Sequence, residues 1–402
     1  MNSSGAQIWT SLAEKSSSLK TLKIKKTFHS YEFEANKAYL GSFQYLKTLE
    51  NLNIDVSFYL PEQNNQILTT IFFTHLASFT DPKSLNLTFV HNHPGSLSLF
   101  LSLRSLLKLE QLYLNLMYCC NKNNQFFQDL ALTITCFCNL ELFELILPRL
   151  DDAYEAIIAL SSNFSQLSQL KNVSLNFQNI NVNHKIMEIL YNSLAHLFLS
   201  SLKIILDSQP QKPKSFFQKL SAFWGYEQRL TSLFSALYGF SSLENLSLNL
   251  SGFDICTKEF KHFSLALKEL KQLRSLSLEL PQFDPGNNFE GLRKFLSGLK
   301  ELQKLECLHL AFKGTKLCTK EVELVARNLQ DCSRYLEDLA LYFEHSEKLR
   351  NEVFSSISWG LQNFLSLKSL TLVIEKQKVF QKEGVIDLLK KLTILKGWKA
   401  SV

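Results

Sequence analysis

The chain has 402 residues, 46% hydrophobic and 20% charged, with a formal net charge of +6. It is too apolar for a disordered chain, and no apolar run approaches the roughly 20 residues that a membrane span needs. The charge is mild for the length, so it argues for neither a nucleic-acid nor a membrane partner.

Seventy-seven residues are Leu, against only 13 Gly and 8 Pro, a balance expected of one unit copied many times. In chain order an eight-residue frame starts at Leu19 (LKTLKIKK), Leu49 (LENLNIDV), Pro82 (PKSLNLTF), Leu109 (LEQLYLNL), Leu140 (LELFELIL), Leu170 (LKNVSLNF) and Leu199 (LSSLKIIL). It continues at Leu243 (LENLSLNL), Leu273 (LRSLSLEL), Leu305 (LECLHLAF), Leu336 (LEDLALYF), Leu367 (LKSLTLVI) and Leu395 (LKGWKASV). Of the twelve intervals between these thirteen copies, eleven lie between 27 and 33 residues, and the other is 44. Within the copies, apolar residues at positions 4, 6 and 8 (Lys26 at position 8 of the first copy being the exception) alternate with mostly polar ones at 5 and 7, the period of a half-buried strand.

Upstream of the copies the period changes. Phe260, Phe263, Leu267 and Leu270 precede Leu273 at spacings of 3, 4 and 3. The same spacing precedes Leu140, Leu170, Leu243, Leu305 and Leu367, and it draws one apolar stripe along an amphipathic helix. The Ile8–Leu12 stretch supplies a helix before the first strand. A single helix–strand unit cannot bury its own apolar face, so neighbours must stack. Strands sit about 4.8 Å apart and packed helices roughly 8–10 Å, so the array is expected to curve with the sheet inside.

With LxxLxLxL recurring at about 30 residues, the chain resembles the leucine-rich-repeat superfamily, in its long-repeat branch similar to ribonuclease inhibitor. The resemblance implies an α/β solenoid, a curved horseshoe of about 13 repeats. A parallel sheet would line its concave face and helices its convex face, all in a single domain spanning 1–402. The family's usual Asn or Cys at position 9 is replaced here by Met117, Pro148, Gln178, Asp207, Ser251, Pro281, Lys313, Glu344 and Glu375. Irregular loops after the strands are therefore expected.

The concave positions are small, polar and nearly uncharged in the middle of the array, with Tyr113, His309 and Tyr342 as the larger side chains that a partner could meet. No basic stripe or aromatic ladder follows them, which disfavours nucleic acid. Position 2 alternates in sign between many neighbouring repeats (Lys20 and Glu50, Glu141 and Lys171, Arg274 and Glu306) and is expected to form a ladder of exposed ion pairs. The long interval holds an insertion at 207–229 with Phe216, Phe217, Phe223, Trp224 and Tyr226 among prolines and lysines. Those aromatics are either interface anchors or an extra helix packed on the array. The last copy places Trp398 on a terminal strand, where it either covers the final core layer or leaves an edge for contact with another chain. Lysines at both ends of the array are expected to blunt its edges.

Chemistry is thin. Cys119-Cys120 and Cys136-x-Cys138 lack the usual spacing of zinc ligands, and His91-x-His93 has no third ligand nearby. Gly-rich phosphate loops, GxSxG and HExxH are absent. No catalytic residue, metal or cofactor is expected. The first twenty residues lack the apolar run of a secretory signal, so the eight Cys are expected to be reduced thiols of a cytoplasmic protein. The reading is a non-catalytic protein-interaction scaffold, such as a structural subunit of a cytosolic or cytoskeletal assembly. Its alternative is a regulatory adaptor of the ubiquitin-ligase receptor or GTPase-activator type. Neither the N-terminal domain that such receptors carry nor the acidic tail of the activators is expected from this sequence.

Overall fold

The computed structural model describes residues 18–374, together with residues 11, 13 and 15. Outside that description fall 91–95, 118–123, 148–153, 179–183, 207–229, 344–351 and some loop positions of one or two residues. The chain forms two compact units, 1–182 and 183–402.

The first unit contains β1 (Thr21–His29), β2 (Asn51–Tyr59), β3 (Ser84–Val90), β4 (Gln111–Asn115), β5 (Leu142–Ile146) and β6 (Asn172–Asn176). Between successive strands run the helices Phe33–Gly41, Glu62–Leu76, Ser96–Arg104, Asn124–Ile134 and Tyr154–Phe164. All pairings are parallel and follow chain order: Thr21 lies opposite Asn51, Asn51 opposite Ser84, Ser84 opposite Gln111, Gln111 opposite Leu142 and Leu142 opposite Asn172. Each is position 3 of its frame, so the repeat interval is also the register offset.

In the second unit the helix His184–Ala195 leads into β7 (Ser201–Ile205). Then come helical residues 230–236, β8 (Asn245–Asn249), the helix Thr257–Glu269 and β9 (Ser275–Glu279). The helices Pro285–Leu299, Thr319–Leu329 and Glu352–Gly360 each lead into a further strand, β10 (Cys307–Ala311), β11 (Asp338–Phe343) and β12 (Ser369–Ile374). Ser201 pairs with Asn245 across the 44-residue interval, again position 3 to position 3. The longer connection thus enters the array without slipping its register. A slip of one residue would turn every apolar side chain of the strand to the wrong face.

The core lies where the periodicity puts it. Position 8 is buried throughout β4 to β11, by Leu116, Leu147, Phe177, Leu206, Leu250, Leu280, Phe312 and Phe343. The helical stripe is buried too, for example Phe127, Leu130, Ile134 and Phe137 in the first unit and Phe354, Ile357, Leu361 and Phe364 in the second. Each buried side chain of this size contributes roughly 1.5–3 kcal/mol.

The backbone closes the frame at both ends of the strand. At its start the position-2 carbonyl accepts two N–H groups of the next repeat, as Lys20 does from Glu50 and Asn51 and Glu306 from Glu337 and Asp338. At its end the N–H of position 8 donates to the position-7 carbonyl of the next repeat, as Leu116 does to Ile146 and Phe312 to Tyr342. Twelve strands are described. The thirteenth copy and, except for Ser11, the Ile8–Leu12 stretch fall outside the described residues, as do the loops after most strands.

Candidate functional site: the open face of the sheet

Positions 4, 6 and 8 face the helices, which leaves positions 3, 5 and 7 on the uncovered face. There Ser84, Asn86, Thr88, Asn115, Ser174, Ser247, Asn249, Ser275 and Ser277 are all half-exposed. The face is polar and sparsely charged, and the parallel pairings described above fix the register of its strands.

Tyr113 stands on β4 between Asn86 and Glu144. Burial, and then the Glu144 carboxylate, push its hydroxyl above the usual value for a phenol. It therefore remains a neutral hydrogen-bonding group of the first unit's face. His309 and Tyr342 belong to the second unit, at position 5 of β10 and position 7 of β11. The His309 Nε2 lies 3.5 Å from an Asp338 carboxylate oxygen, with both side chains well exposed. Cys307 faces Asp338 across the ladder. Burial and the Asp338, Glu306 and Glu337 carboxylates raise its thiol, and a protonated thiol is a poor nucleophile or metal ligand. Cys332, fully buried, is pushed up to about 12 by burial. Among the described residues no three His, Cys, Asp or Glu side chains converge as metal ligands.

The expected position-2 ladder is present. Lys20 pairs with Glu50, Lys83 with Glu110 (3.8 Å), Lys171 with Glu141 (3.0 Å), Arg274 with Glu306 and Lys368 with Glu337 (2.8 Å). All are solvent-exposed and each contributes about 0–1 kcal/mol. Lys25–Asp55 (3.2 Å) adds a pair at position 7.

Three features escaped the sequence reasoning. The asparagines that close strands sit at position 7 and act within their own repeat. The side-chain oxygens of Asn115, Asn176 and Asn249 accept the backbone N–H of Met117, Gln178 and Ser251 at 3.1, 2.9 and 3.0 Å. This is the Asx turn that ends an extended segment. Cys256 and Cys318 open helices: each backbone N–H donates to the glutamate three residues on, Glu259 at 3.0 Å and Glu321 at 2.8 Å, within identical Cys-Thr-Lys-Glu tetrapeptides. A Cys start hides a box usually read from Ser or Thr. Finally, Phe198 is 86% exposed in the loop before β7, and Leu101 and Leu132 are exposed on neighbouring helices of the first unit. The remaining candidates, Phe216, Phe217, Phe223, Trp224, Tyr226 and Trp398, lie outside the described residues, as do Cys119, Cys120, His91 and His93.

Parallel strands and helices alternating in one repeated frame define an α/β repeat protein of leucine-rich-repeat-like architecture. No family model matches the chain, and no curated protein matches it either. Among solved structures, the complex of Rad7 and Elc1 in yeast is similar over 97% of this chain and 81% of that one, at 14% identity and a TM-score of 0.48. The actin-binding site 2 of leiomodin-1 is similar over 35% of this chain and 75% of that one, at 16% identity and a TM-score of 0.27. None of the described helices is long and apolar enough to cross a membrane.

Proposed function

We propose that this protein is a non-catalytic scaffold that binds a protein partner on the open face of its sheet. The observation that carries this reading is the face itself: rows of half-exposed Ser, Asn and Thr on strands whose register is held at every described pairing. Such a surface offers many short hydrogen-bonding groups at fixed spacing and little charge to desolvate. Those properties suit a broad protein interface better than a small-molecule pocket. Tyr113, His309 and Tyr342 are its larger contact residues, Tyr in particular being favoured at interfaces. No cofactor enters this reading.

The finer assignments belong to the same proposal. Repeat intervals of 27 to 33 residues, with helices of up to 15 residues between strands, support the long-repeat, ribonuclease-inhibitor-like branch. Six described cysteines, none of them in a disulfide, support a reducing compartment, in which we place the chain as a fixed subunit of a cytosolic or cytoskeletal assembly.

The test is site-directed photo-crosslinking. A photoreactive residue at Tyr113, His309 or Tyr342 is expected to capture a protein that copurifies with the native chain. The same group at Leu132 or Trp359, on outer helix faces, is expected to capture little. Capture confined to the helix positions would overturn the proposal. Clear stimulation of a GTPase by the purified chain would replace it with the regulatory alternative.

A further inference from the structure

β1 is the first strand of the first unit, and among the described residues no strand pairs with its outer edge. At nine residues it is as long as β2, whereas β4, β5 and β6 have five each. An unpaired strand of that length presents backbone N–H and C=O groups that a further strand can take up.

Charge decides which strand fits. Lys23 and Lys25 are exposed and stand two residues apart on the open face, with Lys20 just ahead of the strand. On the inner side, β2 shows how such cations are met. Glu50 pairs with Lys20, and Asp55, directly opposite Lys25 in the ladder, pairs with it at 3.2 Å. Lys23 lies opposite neutral Asn53 and makes no ion pair among the described residues. The Lys25 side chain remains 85% exposed even while paired. A second copy of β1 would set lysine against lysine, and like charges directly opposite are destabilising. Lysine on an edge thus disfavours basic strands and favours an acidic one.

We propose that the outer edge of β1 docks an extended acidic segment of another protein, added to the sheet as a strand with carboxylates at alternate residues beside Lys23 and Lys25. Backbone pairing supplies the affinity and the two-residue spacing of the lysines the specificity. The backbone edge and its lysines on β1 do not involve Tyr113, His309 or Tyr342, so the inference survives if the open-face reading fails.

The test uses the full chain and a fluorescein-labelled peptide of alternating Thr and Glu, followed by anisotropy at low salt. The expected result is saturable binding that falls roughly ten-fold in Lys23→Glu and is lost when the peptide's backbone nitrogens are methylated. Lys25→Gln should weaken binding in the same direction. An unchanged melting temperature for Lys23→Glu certifies that the variant is folded. Equal binding of the methylated peptide would reduce the effect to diffuse attraction and overturn the inference. So would absence of binding, equal binding of an alternating Thr–Lys peptide, or an affinity indifferent to Lys23→Glu.

Discussion

In the first unit aromatic rings meet largely edge to face: Tyr39 on Phe43 at 78°, Phe43 on Phe72 at 89° and Phe126 on Phe127 at 81°. In the second, although Phe260 still meets Phe283 edge-on, rings from successive repeats lie nearly flat on one another. Phe234 stacks on Phe263 at 4.3 Å and 10°, Phe263 on Phe295 at 5.4 Å and 20°, and Phe312 on Phe343 at 5.6 Å and 12°. The glycines differ in the same sense. A β-carbon on Gly41 of the first unit would meet nothing within 4 Å. In the second unit it would lie 2.9 Å from the Ser264 hydroxyl at Gly298, 2.9 Å from the Thr257 Cα at Gly291 and 2.3 Å from the Ala326 carbonyl oxygen at Gly360. Removing those β-carbons lets helices approach closely, and flat stacking suits the short spacing between repeats. The strand ladder sets one frame for both units, while the fit between helices is solved separately in each.

The largest expected effect comes from breaking the stack. Phe263→Ala should cost about 3–5 kcal/mol in equilibrium urea unfolding. Combined with Phe295→Ala it should lose less than the two single changes together, because the rings share a contact. Additive losses would mean that the stacking contributes nothing of its own.

A smaller effect separates the units by sign. Gly360→Ala should destabilise by about 1–3 kcal/mol as it drives the helix from Ala326. Gly41→Ala, in open space with a helical φ of −59°, should stabilise by about 0.5–1 kcal/mol. Calorimetric melting of the two variants checks this, and shifts of the same direction would remove the contrast.

Capping follows. Glu321→Ala deprives the Cys318 N–H of its acceptor and should cost about 1 kcal/mol. The first unit's Phe33–Gly41 helix starts without any side-chain cap and has no equivalent loss to suffer. The smallest effects should be common to both units: Lys171→Gln and Lys368→Gln should each cost less than about 1 kcal/mol, and the loss should fade in about 1 M salt. A larger, salt-insensitive loss would show that the position-2 ladder does more than decorate the surface.

Much of this architecture was legible in the residues because burial is periodic. The frame starting at Leu243, Leu273, Leu305, Leu336 and Leu367 anticipates the pairing of Asn245, Ser275, Cys307, Asp338 and Ser369, each two residues further on. The stripe of Phe260, Phe263, Leu267 and Leu270 anticipates a buried helix face. What was not legible depends on short-range geometry. Asn115, Asn176 and Asn249 close their strands two residues earlier than the family pattern suggests, because each side chain reaches its own backbone and not a neighbour's loop. Phe198 is an apolar residue in an apolar chain, and nothing in its spacing marks it as exposed. Of the candidate site, Tyr113, His309 and Tyr342 could be placed on the open face by strand parity alone. The environments of Tyr113 beside Glu144 and of His309 beside Asp338 needed the neighbouring strands in register.

The central claim, that the open face binds a protein partner, is tested most directly by crowding that face without touching the core. Ser174→Arg in the first unit and Ser277→Arg in the second place a long side chain at half-exposed positions 5. Affinity for the copurifying partner should be measured for each variant. The account predicts a loss of roughly ten-fold or more in at least one variant, with the melting temperature unchanged in both. Unchanged affinity in both folded variants would contradict it.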